Sequence, residues 1–302
     1  MSSPEILAEF DIENLPDLDT VVLGALQLLA ESHLPESTVP YRRPLVVGSA
    51  GAAAFGRMLF ANNDAVFADE SGVEQALSKS PDIDGAVLIS ASGGKHAVGV
   101  AETLKEKGIE TVLFTNNPDA PAGEFVTQEN VRIFPKNREP YTYNTSTYLS
   151  MLLADTSESA AAIGEHIKKA VEPKLSRSHL GSFGSFVLIV PPQFREVCAM
   201  FRTKFDELFG PYLNGRVFTS EEVKHAKTVV QSGDELFISF GVANDRYGLP
   251  KNRLQIPLPE NAGYAAIMAI GYYVIGKIQK SHRPYFKNHI VKYTEEASKI
   301  FG

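Results

Sequence analysis

The run Ser90-Ala91-Ser92-Gly93-Gly94-Lys95-His96 gathers the residue types best suited to holding an anion. It follows the apolar stretch 85–89 and precedes the amphipathic stretch 97–107, so it reads as a strand-to-helix turn. A helix N-terminus offers backbone N–H groups and a partial positive charge, which suit a dianionic phosphate. Ser90 and Ser92 add hydroxyl donors, Gly93 and Gly94 allow close backbone approach, and Lys95 adds a point charge. Serine and glycine also cap helices without binding anything. Two of each with a lysine in succession favour the anion site. A second turn, Gly48-Ser49-Ala50-Gly51, follows Leu45-Val46-Val47 in the same way. Gly48, Gly51 and Gly56 with Asp69 loosely match a dinucleotide fingerprint, but Ala50 stands where its second glycine belongs. No nucleotide cofactor is expected.

Both turns need a parallel sheet to position them. Short apolar runs at 45–47, 65–67, 85–89, 110–114 and 131–134 alternate with helical stretches, and a long helix is expected over 145–171. The pattern then restarts. Strands are expected at 185–190, 216–218, 235–240 and 254–257, with helices at 196–209, 220–227 and 263–280. The chain therefore reads as α/β, with two successive lobes, each a mostly parallel sheet covered by helices, and a boundary near 175–183. Residues 1–40 form an N-terminal helical segment, 41–175 a first subdomain carrying the phosphate turns, and 176–302 a second whose residues after Ser281 form a tail.

The 302 residues are 44% hydrophobic and 22% charged, enough to build a core without disulfides or metals. The net charge is −7 and no basic stretch is long enough to neutralise several phosphates, which argues against nucleic acid. The single cysteine, Cys198, cannot form an intrachain disulfide and reads as core packing in a reducing compartment. Residues 263–275 are too few, and too broken by Gly and Tyr, to span a bilayer, and the N-terminus lacks a leader pattern. A cytoplasmic protein is expected. The seven histidines show no metal-ligand spacing, and no metal is expected.

At this point the chain, over about residues 40 to 295, resembles the sugar isomerase (SIS) fold family. The resemblance rests on Ser90-Ala91-Ser92-Gly93, Glu102-Thr103-Leu104, and Thr115-Asn116-Asn117-Pro118-Asp119-Ala120-Pro121. It implies two SIS-type subdomains, each a three-layer sandwich, in which Gly48, Ser49, Ser90, Ser92, Gly93, Gly94 and Lys95 cradle the phosphate of a sugar phosphate. The family usually has threonine where Lys95 stands. In the second lobe, Thr203-Lys204-Phe205-Asp206-Glu207 resembles the helix ending in the family's catalytic glutamate. Glu221-Glu222-Val223-Lys224-His225 resembles a segment of the isomerase domain of glucosamine-6-phosphate synthase, although His225-Ala226-Lys227 replaces the His-Gly-Pro of many relatives. Glu139 and Thr145 resemble a segment lining the sugar site. The tail resembles one that places a lysine in the active site, with Lys287 the choice and Lys292 the alternative.

The resemblance implies an aldose–ketose isomerase of phosphosugars. A carboxylate, Glu207, would move a proton between C1 and C2 through an enediol, and a histidine, His225, would open the ring. Tyr141 stands where phosphoglucose/phosphomannose isomerases carry an arginine, so Arg138 or Arg202 would substitute, or the sugar differs. Two alternatives remain: a fructosamine-6-phosphate deglycase on the same fold, and a non-catalytic sugar-phosphate-binding protein. The family implies a homodimer, with His225 possibly acting in trans.

Overall fold

The computed structural model describes residues 3–226, 228 and 230–301. The first sheet contains β1 (Pro44–Gly48), β2 (Val66–Ala68), β3 (Gly85–Ile89), β4 (Thr111–Thr115) and β5 (Val131–Ile133). All pair in parallel, in the order β2-β1-β3-β4-β5. β1, β3 and β4 are buried along their whole length. A strand covered on both faces has no solvent side, which is why these runs are apolar without alternation. The crossovers α3 (Gly51–Leu59), α4 (Val73–Lys79) and α5 (His96–Glu106) supply the cover. Val100 and Leu104 of α5 are buried in one apolar cluster with Leu45, Leu88 and Leu113 of the sheet.

The second sheet contains β6 (Ser185–Val190), β7 (Asn214–Thr219), β8 (Glu235–Phe240) and β9 (Arg253–Ile256), again parallel, in the order β7-β6-β8-β9. It therefore repeats the strand order of the first four strands of the first sheet. Around it lie α1 (Ser3–Glu9), α2 (Leu18–Glu31), α9 (Val197–Phe209), α10 (Tyr264–Ser281) and α11 (Tyr285–Phe301). α10 is buried without a gap from Ala265 to Gly276 and packs against α2 and α9. A helix that is apolar all round must be covered all round. No helix among the described residues is long and apolar enough to cross a membrane.

Compactness cuts the chain differently from sheet order. One unit holds Met1–Glu31, Asn137–Leu149 and Glu158–Gly302, and the other holds Ser32–Lys136 and Ser150–Ser157. Helices α1 and α2 thus belong with the second sheet.

Three local expectations change. The single helix over 145–171 is two pieces, α6 (Thr145–Asp155) and α7 (Ala160–His166), and the second continues through a wide turn at Ile167–Val171 into α8 (Glu172–Leu175). The break has a clear cause. Ser159 Oγ caps α7 by accepting from Ala162 N, while the Glu158 carboxylate turns away to the start of α10. The tail after Ser281 is helix α11, with Phe286 and Ile290 buried, so its aromatic residues serve as packing rather than as a solvated strand of chain. Only Glu222–His225 of the helix expected over 220–227 is helical, as a tight turn; Lys227 lies outside the described residues, as do Met1 and Ser2 of the expected leader-free N-terminus.

Candidate active site

In the first sheet the strand order reverses between β1 and β3. Open α/β sheets bind ligands beyond the carboxyl ends of their strands at such a reversal. Gly48 is in register with Ile89, so Ser49 and Ser90 leave neighbouring strands at the same level. The residues that begin the next helices share one unusual backbone conformation: Ala50 at φ 45°, ψ −110° before α3, and Lys95 at φ 51°, ψ −121° before α5. Positive φ in a residue with a Cβ is a strained choice, of the kind that persists where surrounding structure demands it. The side chains of Ala50 and Lys95 do not themselves cap the helices that follow them. Gly93 has φ 64°, and a Cβ there would lie 2.4 Å from Ala120 Cβ.

The serine hydroxyls shape the turn as acceptors. Ser90 Oγ accepts from Gly93 N at 3.1 Å and Ser92 Oγ from Gly94 N at 3.3 Å. The stretch Thr115-Asn116-Asn117 braces it from the next strand. Thr115 Oγ1 donates to Ala91 O at 3.1 Å, Asn116 N to Ala91 O at 3.0 Å, and Asn117 Nδ2 to Ser92 O at 2.9 Å. The motif that carried the resemblance therefore has a physical role: it props the Ser90–Lys95 turn.

Glu207 lies in the other unit, in the last turn of α9. Its Oε2 accepts from Lys204 Nζ at 2.6 Å, and the same Nζ donates to Thr142 O at 2.6 Å. The Lys204 side chain is 3% exposed and that of Glu207 is 26% exposed, so the lysine is sealed while the carboxylate keeps a face towards solvent. The Tyr272 ring lies 5.6 Å below the ammonium. Thr142 is β-branched yet sits at φ 70°, the strained loop conformation that aims its carbonyl at Lys204. Tyr148 and Tyr272 beside this cluster are held well above the usual phenol range, first by burial and then by the negative charge of Glu207. Glu139 caps α6, accepting from Thr145 N and Ser146 N at 2.6 Å each, and burial holds its carboxyl above the usual range against those hydrogen bonds.

The remaining expected residues separate. Thr145 is fully buried, and its hydroxyl donates to Tyr143 O at 3.5 Å. Lys287 ion-pairs with Asp17 at 2.7 Å, and its neighbour Phe286 packs on the Tyr143 ring at 5.3 Å. Burial holds the Tyr143 phenol well above its usual range, with smaller contributions from Asp17, Asp19 and Glu207. Lys292 is exposed. His225 is exposed on the turn after β7, which Thr219 and Glu222 close reciprocally: Thr219 N donates to Glu222 Oε2 at 2.9 Å and Glu222 N to Thr219 Oγ1 at 3.1 Å. Glu207 precedes β7 and His225 follows it. Six residues of strand separate the two ends, on the order of 16 Å at the usual rise. Among the described residues no hydrogen bond or ion pair joins them.

Sequence reasoning missed Lys204 although a signal exists. Val197, Met200, Phe201, Phe205 and Leu208 form the buried stripe of α9, and Lys204 occupies a place in that stripe. A charged residue at a core position of an amphipathic helix needs a partner.

No family model matches the chain. A curated relative, cobyric acid synthase of Halorhodospira halophila, is 34% identical over 120 residues, which is 37% of this chain and 24% of that protein. The chain thus spans about a quarter of that relative's length. Solved structures align along nearly the whole chain. Tagatose-6-phosphate ketose/aldose isomerase from Escherichia coli matches with a TM-score of 0.58 at 11% identity, over 93% of this chain and 89% of that one. The fold is that of the sugar isomerases. Glucosamine-6-phosphate deaminase from Thermotoga maritima matches at 0.55 and 14% identity, over 92% and 94%. The C-terminal domain of glucosamine-fructose-6-phosphate aminotransferase from Francisella tularensis matches at 0.55 and 11%, over 90% and 98%. The two parallel sheets with flanking helices are the architecture these sugar-isomerase folds share with the chain.

Proposed function

We propose that this protein is a cytoplasmic aldose–ketose isomerase of a phosphorylated sugar. The observation that carries the reading is the Lys204–Glu207 pair: a carboxylate with one exposed face, held in place by an ammonium that is itself sealed and anchored to Thr142 O. Such a carboxylate suits proton transfer between adjacent carbons, because its position is fixed before substrate arrives. Glu207 takes a proton from the carbon beside the carbonyl, the electron pair forms the enediolate, and the hydroxyl proton passes from one oxygen to the other. The same proton returns to the neighbouring carbon as the carbonyl moves. Gly48, Ser49, Ser90, Ser92, Gly93, Gly94 and Lys95 hold the phosphate at the starts of α3 and α5.

His225 acts as the ring-opening acid and base from a partner subunit. β7 stands between it and Glu207 within one chain, so a homodimer supplies what one chain does not bring together. Coupled assays on hexose and amino-hexose 6-phosphates test the reading. Glu207→Gln is expected to lower kcat by about 10²–10⁴-fold, the usual contribution of a general base. Unchanged turnover would remove Glu207 from the mechanism. Binding of sugar phosphates without turnover in the unaltered protein would leave a sugar-phosphate-binding protein instead.

A further inference from the structure

At the amino end of the second sheet, on the side of its edge strand β9, lies a groove of about 690 Å³. Its wall carries Lys174, Arg177, His179, Lys251 and Arg253, and no carboxylate. The chain as a whole has more acids than bases, 36 against 29, so this concentration of positive charge is not a reflection of composition. The groove shares no lining residue with the Glu207 cluster or with the phosphate turns. Its position, at the start of β8 and β9, is the end of the sheet opposite to where open α/β sheets carry their main ligand.

Two features distinguish it from an ordinary solvated basic face. First, among the described residues Lys174, Arg177 and Lys251 enter no ion pair and no side-chain hydrogen bond, so no carboxylate pairs directly with their charges. Second, one of the cations is rigid. The Arg253 guanidinium is pinned by backbone carbonyls, with Nε donating to Tyr247 O at 2.9 Å, Nη1 to Asp245 O at 2.7 Å and Nη2 to Gly248 O at 2.7 Å. These contacts engage three of the five N–H donors of a guanidinium and leave two for a ligand. The half-buried Phe183 and Leu254 and the buried Leu236 supply an apolar floor. The volume falls within the range of about 300–1,000 Å³ typical of small-molecule sites.

We propose that this groove binds a small molecule bearing two or more phosphates, at a site separate from the sugar-phosphate centre. Two phosphates carry about −3 to −4 at neutral pH, which matches the charge of Lys174, Arg177, Lys251 and Arg253 taken together. A monophosphate would leave half of that charge uncompensated.

The test is isothermal titration of the full chain at 0.15 M salt with inorganic phosphate, pyrophosphate, tripolyphosphate and ATP, without divalent metal. The expected result is saturable binding that tightens with phosphate number. Arg177→Glu with Lys251→Glu, both at exposed positions, should weaken tripolyphosphate at least tenfold, and Arg177→Lys with Lys251→Arg should restore it. Melting curves check that each variant is folded, and the Arg177- and Lys251-dependent part of tripolyphosphate binding should persist in a Lys95→Asp background. Equal affinity in the charge-reversed variant overturns the proposal. So does the absence of saturable heat for every phosphate probe, or a response only to a long polyanion such as heparin.

Discussion

Two pairs of helices, one pair in each compact unit, begin in opposite ways. In the unit carrying the second sheet, the chain fills the starts of α6 and α10 with its own carboxylates. Glu158 accepts from Gly263 N, Ala265 N and Ala266 N at 2.8–3.0 Å where α10 begins, and Glu139 accepts from Thr145 N and Ser146 N where α6 begins. In the unit carrying the first sheet, α3 and α5 begin at Ala50 and Lys95, with positive φ and no cap from those side chains. Backbone N–H groups at a helix start attract an anion whatever its source. Where the anion belongs to the protein, the helix start is structural. Where the residue before it supplies no cap and the loop is glycine and serine, the site suits an anion from outside. That contrast is why the proposed phosphate site belongs at α3 and α5 and not at α10, which also follows a glycine.

The sharpest way to break the contrast is to empty a filled helix start. Glu158→Ala removes one carboxylate from three backbone N–H groups and should cost about 2–3 kcal/mol of stability, since hydrogen bonds to charged groups contribute about 1.5–3 kcal/mol. Urea unfolding with unchanged slope would measure it; a loss below 0.5 kcal/mol would mean that water caps α10 equally well. Next comes the reverse operation, filling an empty start. Lys95→Asp places a carboxylate at the start of α5, where it competes with an incoming phosphate. Affinity for the sugar phosphate should fall at least tenfold, about 1.4 kcal/mol, while the ligand-free protein keeps its melting point to within a few degrees. An unchanged thermal shift with ligand would move the phosphate away from this turn.

The smallest expected effect concerns the turn that carries His225. Glu222 is held below the usual carboxylate range, first by the Thr219 backbone N–H and then by Arg195. A depressed carboxyl stabilises the fold above its unfolded pKa and loses that contribution as pH falls through the folded value. The melting point should therefore drop less on acidification from pH 6 to pH 3 in Glu222→Gln than in the parent. The difference is modest, because the side chain is 40% exposed and the Arg195 pair is screened by solvent. Identical acid profiles would show that Thr219 alone closes the turn.

Much of the architecture was legible because its signals are local. Uninterrupted runs such as Gly85–Ile89 mark strands buried on both faces, and this one is followed by a helix of matching length, His96–Glu106. The Ser90–Lys95 turn was readable for the same reason, since glycine, serine and a helix start lie within one short segment. The break between α6 and α7 was not, because the turn at Glu158 depends on α10, more than a hundred residues away in the chain. The helix α11 was read as a tail because its polar residues hide a stripe that packs against α9, Tyr143 and Tyr212.

By itself, the sequence determined the strands, the crossovers and the two glycine-serine turns, because periodicity and backbone freedom act over a few residues. The tertiary structure alone decided what Glu207 is. A glutamate near the end of a helix is ordinarily a solvated charge. It becomes a positioned carboxylate because Lys204, buried in the core stripe of the same helix, must find acceptors, and the strained carbonyl of Thr142 and the Glu207 carboxylate are the two within its reach. Tertiary structure likewise placed β7 between Glu207 and His225, a separation that no spacing in the sequence expresses.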